Sequence, residues 1–167
     1  MSRDVVAASR EEPGRDGLGL RIAIVCARFN DHVTVRLLEG ARRGLAECKV
    51  DDADITEVWI PGAFELPLIA KTFAESGDVD AVICLGCVIR GETAHFEHVA
   101  GQAAAGIQRV ALDTGLPIVF GVLTTENLDQ ALARSSDEGA GENAGEEGAR
   151  TAVEMARLIA QITKSHS

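Results

Sequence analysis

Short apolar runs alternate with amphipathic segments along most of this 167-residue chain, and this alternation limits its possible folds more than any other feature. The apolar runs predict β-strands, and the segments between them have the three- and four-residue spacing of helices. Strands that alternate with helices indicate βαβ units, in which a parallel sheet carries helices on both faces. The predicted strands are 20–27, 54–60, 80–89 and 117–123, and the predicted helices are 32–48, 63–75, 94–112, 125–134 and 146–163.

Four strands in a chain of this length predict an α/β fold, a flavodoxin-like three-layer sandwich with a four-stranded parallel sheet. The run 80–89 is apolar on both faces, which is typical of a central parallel strand. Residues 1–18 are polar and contain a Pro13-Gly14 break, so we expect a flexible arm or an edge strand there. Residues 19–167 are expected to form a single domain, in which Thr125 is the N-cap of the fourth helix.

The formal net charge of the chain is −10, which repels phosphate backbones and disfavours a nucleic-acid partner. The longest apolar run, 81–89, has about half the length that a membrane span needs. The first residues of the sequence contain no apolar run that could serve as a signal peptide. We therefore expect a cytoplasmic protein with neither a membrane nor a nucleic-acid partner.

The four cysteines, Cys26, Cys48, Cys84 and Cys87, are expected to be buried free thiols of a cytosolic protein. The spacing of Cys84 and Cys87 matches a redox or zinc motif. However, both residues lie within a predicted strand, where side chains three positions apart point to opposite faces. No second cysteine pair is present to complete a zinc site, so we predict no metal centre from this motif.

Aromatic residues are scarce in this chain, yet three of its five phenylalanines lie at or near the ends of predicted strands. Phe29 and Phe64 follow the first two strands, and Phe120 lies within the fourth. The carboxyl ends of parallel strands meet at one edge of a sheet, where ligands bind in folds of this type. A phenylalanine at that edge either fills a core pocket or stacks on a flat ligand. The charged neighbours of Phe29 and Phe64 favour a ligand.

Polar residues at the same edge indicate an anion site and an acid–base group. Residues 91–93 precede a helix, whose free N–H groups and dipole favour an anion. Arg134, at the end of the fourth helix, is either a solvated side chain or a phosphate contact. His95 lies in a first helical turn, where a titratable imidazole suits general acid–base catalysis. His98 is expected to be an interface or solvent residue, and its spacing from His95 is too weak a signal to predict a metal.

Four motifs at this edge, taken in this order, resemble those of lumazine synthases over about residues 18–163. This family joins 5-amino-6-(D-ribitylamino)uracil to 3,4-dihydroxy-2-butanone 4-phosphate and forms 6,7-dimethyl-8-ribityllumazine, phosphate and water, without a cofactor. The resemblance implies a transferase that performs the penultimate step of riboflavin biosynthesis. The motifs are 28–30 (RFN), 61–67 (PGAFELP), 86–95 (GCVIRGETAH) and 120–127 (FGVLTTEN).

The resemblance also implies a role for each matched residue. His95 would move protons during imine formation, phosphate loss and ring closure, and Phe29 would stack on the pyrimidine. The residues implied for the pyrimidine and its ribityl chain are Phe29, Ala63, Phe64, Glu65, Cys87, Val88, Ile89 and Phe120. The residues implied for the butanone phosphate are Glu92, Thr93 and Arg134.

A homo-oligomer follows from the same resemblance, because Phe120 and Arg134 would reach the active site from a neighbouring subunit. The acidic link 135–148 is long, so we expect a pentamer, with a 60-subunit shell as the alternative. Riboflavin synthase is a further candidate partner. Many family members carry a lysine near the phosphate where this chain has Ala144. Without that lysine, either Arg134 alone is enough to bind the phosphate, or this chain binds the phosphate more weakly. A further alternative is that the acids of the link face the outside of the assembly.

Two other functions remain open at this point. A non-catalytic homologue of the same fold would bind a flavin or lumazine through the same aromatic residues, without turnover. An unrelated flavodoxin-like hydrolase or metal enzyme would contain a bound metal and lose activity on chelation.

Overall fold

The computed structural model describes residues 14–137 and 141–166 of the chain. The strands are β1 (Ile22–Ala27), β2 (Ile55–Ile60), β3 (Ala81–Ile89) and β4 (Ile118–Thr125), and the helices are α1 (Asp31–Glu47), α2 (Leu66–Ser76), α3 (His95–Thr114), α4 (Leu128–Ala133) and α5 (Ala144–Lys164). These four strands form one sheet in the order β2-β1-β3-β4, and every neighbouring pair is parallel. The predicted α/β class with a four-stranded parallel sheet is confirmed.

Helices cover both faces of this sheet, so the fold is the predicted three-layer sandwich. Successive side chains of a strand point to opposite faces. Ile22 and Ile24 of β1 pack with α1 and α5, whereas Ala23 and Val25 pack with α2 and α3. All of β1 and most of β3 are buried, because these strands lie inside the sheet with helices on either side.

The cysteines of β3 follow the same alternation. Cys84 packs in the half of the core that α2 and α3 cover, and Cys87 packs in the half that α1 and α5 cover. The prediction that they point to opposite faces is confirmed, and all four cysteines of the chain are buried and free. The two thiols therefore cannot form a redox or zinc pair in this fold.

The junction of β4 and α4 differs from the prediction. The ladder with β3 continues to the pair Ile89–Thr125, so Thr125 belongs to the strand and not to a helix. Asn127 is the N-cap of α4, and its Oδ1 accepts a hydrogen bond of 2.9 Å from the backbone N–H of Gln130. The prediction of Thr125 as the cap is wrong, because a β-branched threonine fits a strand as well as it fits a cap.

The arm or edge strand predicted for residues 1–18 falls mostly outside the described residues, which begin at residue 14. Arg157 of α5 binds the described part. Its Nε donates to the carbonyl oxygen of Asp16 at 2.6 Å, and its Nη2 donates to that of Leu18 at 2.7 Å. The backbone N–H of Gly17 donates to the carbonyl oxygen of Cys48 at 2.6 Å. The chain before β1 is thus attached to the face of α1 and α5.

One buried side chain, that of Asn143, fixes the start of α5. Its Oδ1 accepts hydrogen bonds from the N–H groups of Gly145 and Glu146 at 2.9 and 3.1 Å. Its Nδ2 donates to the carbonyl oxygens of Arg36 and Ser136 at 3.1 and 2.9 Å. A Cβ at Gly145 would overlap the backbone of α1, so the two helices approach closely at this point.

Replacement of Asn143 by alanine is expected to lower the free energy of unfolding by about 2–3 kcal/mol, because it leaves buried donors and acceptors without partners. Asn127→Ala, which removes the exposed cap of α4, is the matched control and should cost about 1 kcal/mol or less. Chemical denaturation followed by circular dichroism measures both changes. Equal losses in the two variants would contradict a special role for Asn143.

Candidate functional site

A cavity of about 640 Å³ opens at the carboxyl edge of the sheet, where β1, β2 and β3 end beside the start of α3. This volume is typical of pockets for small organic ligands, which occupy roughly 300–1,000 Å³. Nine of the twelve predicted site residues line the cavity, so the predicted convergence of strand ends holds for them. The lining residues are Phe29, Asn30, Pro61, Gly62, Ala63, Phe64, Glu65, Cys87, Val88, Ile89, Gly91, Thr93, His95, Phe96, His98 and Val99.

Phe29 is held in place by the backbone on either side of it. Its N–H donates to the carbonyl oxygen of Pro61 at 3.1 Å, which extends the pairing of β1 with β2 beyond the strands. Asn30, the N-cap of α1, has a left-handed conformation with φ 61° and ψ 41°. Its Nδ2 donates to the carbonyl oxygen of Cys87 at 2.9 Å and so links the end of β1 to β3. The ring of Phe29 projects from this fixed stretch of backbone.

The exposure of two phenylalanine side chains decides between a core role and a ligand role. Phe29 is 73% exposed and Phe64 is 57% exposed, so neither ring fills a core pocket. Phe64 lies in a short 3₁₀ turn, Ala63–Glu65, that buries Ala63 and directs its neighbours outward. Exposed aromatic rings that line a cavity are suited to stacking on a planar ligand.

The floor of the cavity comes from the last three residues of β3. Cys87 is buried, and Val88 and Ile89 are partly buried against opposite halves of the core. Burial raises the pKa of the Cys87 thiol to about 11. The side chain is therefore a neutral, apolar contact near neutral pH and not a nucleophile.

The first turns of α3 form the remaining wall. His95 is exposed and lies beside Thr93, whose Oγ1 accepts a long hydrogen bond of 3.4 Å from the His95 backbone N–H. One turn further along the helix, His98 and Val99 also line the cavity. His98, which was predicted at an interface or in solvent, is exposed and lines the same cavity as His95. The cavity thus contains two exposed imidazoles.

An arginine joins this wall to the end of β4. The guanidinium of Arg90 forms ion pairs with Glu126, at 2.6 Å between Nε and Oε2, and with Glu97 of α3. It also lies 4.4 Å from the ring centroid of Phe96, a cation–π contact. The hydrogen bonds to Glu126 and Glu97 raise the pKa of Arg90, and the bond from Arg90 lowers the pKa of Glu97. Arg90 and Glu97 are therefore both charged near neutral pH.

Three of the predicted site residues do not line this cavity. Glu92 lies between two lining residues, Gly91 and Thr93, but is not itself part of the wall. Phe120, the third residue of β4, pairs with Cys84 and is 45% exposed. Arg134 follows α4, where its Nη1 donates to the carbonyl oxygen of Gln130 at 3.4 Å. The roles expected for these three residues remain predictions.

Seven lining residues were not among the predicted site residues, although signals for them are present in the sequence. Phe96 and Val99 lie on the apolar stripe of the predicted third helix. His98 lies three positions after His95, a spacing that places two side chains on the same face of a helix. The other four belong to the motifs at the strand ends: Asn30, Pro61, Gly62 and Gly91.

The described residues show neither a metal centre nor a membrane span. Within 14–137 and 141–166, no cluster of three or more His, Cys, Asp or Glu side chains is placed to hold a metal ion. In that part of the chain, none of the helices combines the length and the apolar character needed to cross a bilayer.

The fold and cavity define a class of protein, a parallel α/β sandwich with a cavity at the carboxyl edge of its sheet that has the size and the aromatic lining suited to a small planar ligand. Comparison with known sequences specifies the family. The family model described as 6,7-dimethyl-8-ribityllumazine synthase matches residues 19–160. Two relatives with that name, from two strains of Thermus thermophilus, are each 51% identical to the chain over 146 residues. The match spans 87% of this chain and 92% of each relative.

The chain belongs to the 6,7-dimethyl-8-ribityllumazine synthase family. The resemblance read from the four motifs is therefore confirmed. The predicted activity is confirmed with it: a transferase of riboflavin biosynthesis that condenses 5-amino-6-(D-ribitylamino)uracil with 3,4-dihydroxy-2-butanone 4-phosphate.

The raised pKa values of the buried thiols predict slow alkylation of the native protein. Burial raises the pKa of Cys26 and Cys84 to about 12 and that of Cys87 to about 11, and it also raises the pKa of Cys48. Because the thiolate is the reactive form, alkylation of Cys26, Cys84 and Cys87 in the native protein near pH 8 should be at least about 100-fold slower than after unfolding, and alkylation of Cys48 should also be slower. Mass spectrometry of iodoacetamide-treated protein measures this. A cysteine that is alkylated rapidly in the native protein would contradict its raised pKa.

Proposed function

We propose that the cavity binds the pyrimidine substrate, with the uracil ring stacked on Phe29 and the ribityl chain along the β2 and β3 ends. The observation that carries this proposal is that Phe29, Phe64 and His95 share one cavity. Ala63, Phe64 and Glu65 would hold the substrate from the side of β2. Cys87, Val88 and Ile89 would supply the floor, together with backbone groups that hydrogen-bond to the substrate.

The butanone phosphate would bind beside the pyrimidine, at the start of α3. Glu92 and Thr93 would contribute backbone and hydroxyl donors there, and the helix N-terminus favours an anion. Arg134 would pair with the phosphate, which the planar guanidinium can bind through two parallel hydrogen bonds. Because this chain has Ala144 where the family resemblance implies a lysine, Arg134 would carry more of the phosphate binding.

His95 is proposed as the group that moves protons during the reaction. The substrate amine adds to the butanone carbonyl, loss of water gives an imine, phosphate leaves, and the ring closes. Each of these steps needs a proton at a substrate oxygen or nitrogen, and an exposed imidazole is the side chain best suited to supply or accept one near neutral pH. Alignment of the two substrates in one cavity can provide about 7–11 kcal/mol of the barrier reduction.

Replacement of His95 by glutamine is expected to lower kcat about 100-fold, the lower end of a typical acid–base contribution, with a smaller change in the KM of the pyrimidine. The assay follows formation of the fluorescent lumazine from the two substrates. His32→Gln, an exposed histidine of α1 outside the cavity, is the control. An unchanged kcat in His95→Gln would remove His95 from the mechanism. Tight flavin binding by a wild-type protein that forms no lumazine would favour the non-catalytic alternative.

The proposal also includes an oligomer in which neighbouring subunits share each active site. Phe120 and Arg134 are exposed or partly exposed outside the cavity of their own chain, which supports their contribution to the cavity of a neighbouring subunit. We propose a homopentamer with five such shared sites, with the 60-subunit shell as the larger alternative and riboflavin synthase as a candidate partner. A cytoplasmic location and a single domain over residues 19–167 complete the proposal.

Subunit complementation tests the shared site. Arg134→Ala alone should raise the KM of the butanone phosphate about tenfold, because a charge-assisted hydrogen bond is lost. In mixed oligomers of Arg134→Ala and His95→Gln chains, random pairing should restore roughly a quarter of the wild-type sites, since each interface is heterologous. Activity at low butanone phosphate measures the recovery. No recovery in oligomers shown to be mixed would contradict a site shared between subunits.

A further inference from the structure

The first turn of α3, which carries His95, has little support of its own. The N-cap residue is Ala94, and no side chain caps the free N–H groups of the helix. The nearest substitute is the long 3.4 Å hydrogen bond from the His95 N–H to Thr93 Oγ1. A helix start without a side-chain cap is less stable than a capped one, so this turn frays easily unless another contact holds it.

Arg90 provides such a contact from outside the helix. It directly follows β3, and its backbone N–H donates to the carbonyl oxygen of Thr125 at 2.9 Å, so its main chain is fixed to β4. From this position the guanidinium reaches Phe96 and Glu97, the two residues that follow His95 in the helix. One side chain therefore connects the sheet to the turn that carries the proposed acid–base group.

The same guanidinium is bound to the segment after β4. Glu126 accepts from Arg90 Nε at 2.6 Å, and the Glu126 N–H donates to Oε1 of Gln130 in α4 at 2.9 Å. Arg90 thus lies between the cavity wall and the segment that leads to Arg134. Two carboxylates neutralise its charge and bind its Nε and Nη1 groups, which makes it less suited to bind a substrate phosphate.

We propose that Arg90 is a positioning residue for catalysis: it holds the first turn of α3 against the ends of β3 and β4, so that His95 and Phe96 keep their places in the cavity. The inference rests on the proposed role of His95. Exposed ion pairs of this kind contribute little to global stability, so the effect of Arg90 lies in geometry rather than in the free energy of unfolding.

Arg42 offers a matched control within the chain. It also pairs with two glutamates, Glu39 and Glu57, and its side chain is 45% exposed against 38% for Arg90. It lies on α1 beside β2, away from the cavity that His95 lines. The two variants Arg90→Ala and Arg42→Ala therefore remove similar interactions at different distances from the proposed chemistry.

The test compares these variants in the lumazine assay and by hydrogen exchange. Arg90→Ala should lower kcat about tenfold with a smaller change in the KM of the pyrimidine, since displacement of a catalytic group by about 1 Å can cost that much or more. Arg42→Ala should leave kcat within about twofold, since surface substitutions remote from a site have small effects. Amides of residues 95–99 should exchange faster in Arg90→Ala and stay unchanged in Arg42→Ala.

Two further variants keep the test decisive if Arg90→Ala folds poorly. Arg90→Lys should recover part of the lost kcat, because an ammonium can pair with one carboxylate but lacks the planar fork. Glu126→Gln should lower kcat about threefold, and its effect should not add to that of Arg90→Ala, because both break the same contact.

The possible results distinguish a failure of the Arg90 proposal from a failure of the proposed function. With an active wild-type enzyme, equal kcat values for Arg90→Ala and Arg42→Ala would overturn it. A lower kcat without faster exchange at residues 95–99 would also overturn it. If Glu126→Gln lowered the KM of the butanone phosphate and left kcat unchanged, Arg90 would be an anion ligand instead. A wild-type protein that forms no lumazine would refute the proposed function before Arg90 is tested.

Discussion

The parallel ladder between β1 and β3, the two buried strands of the sheet, is the interaction on which the site depends. Parallel pairing makes both strands end at the same edge, so the backbone itself brings Phe29 to the floor formed by β3. The hydrogen bond from Asn30 to the carbonyl of Cys87 continues this link beyond the ladder. The wall from α3 is different, because it meets the sheet through side chains and not through backbone pairing; at its first turn one of these is the side chain of Arg90.

The sequence predicted the parts of the molecule that depend on local pattern. Buried parallel strands read as continuous apolar runs, and the strand ends then located Phe29, Phe64 and His95 at one edge. The end of β4 was misjudged because Thr125 suits both a strand and a cap, and only the pairing with Ile89 decides. The ion pairs of Arg90 could not be predicted, since Glu126 lies 36 positions away and its proximity follows from the register of β4 with β3.

The negative net charge of the chain disfavours the binding of a phosphate ester at the proposed site. The chain carries a formal net charge of −10, yet one of its substrates is a phosphate ester. Near the cavity, Arg90 is already matched by Glu97 and Glu126, so it offers little free positive charge. In the proposed assembly, the N-terminus of α3 and Arg134 of a neighbouring chain would supply the attraction for the phosphate. On this account an isolated chain would hold the pyrimidine more readily than the phosphate ester.

Backbone contacts close the base of the segment between α4 and α5. Ser135 and Asn143 form an antiparallel bridge, and the Ser136 N–H donates to the carbonyl oxygen of Glu142 at 3.0 Å. Residues 135–136 and 142–143 are thereby joined in a hydrogen-bonded neck, next to the buried cap of α5. Because backbone groups form this neck, replacement of the Ser136 or Glu142 side chain need not open it.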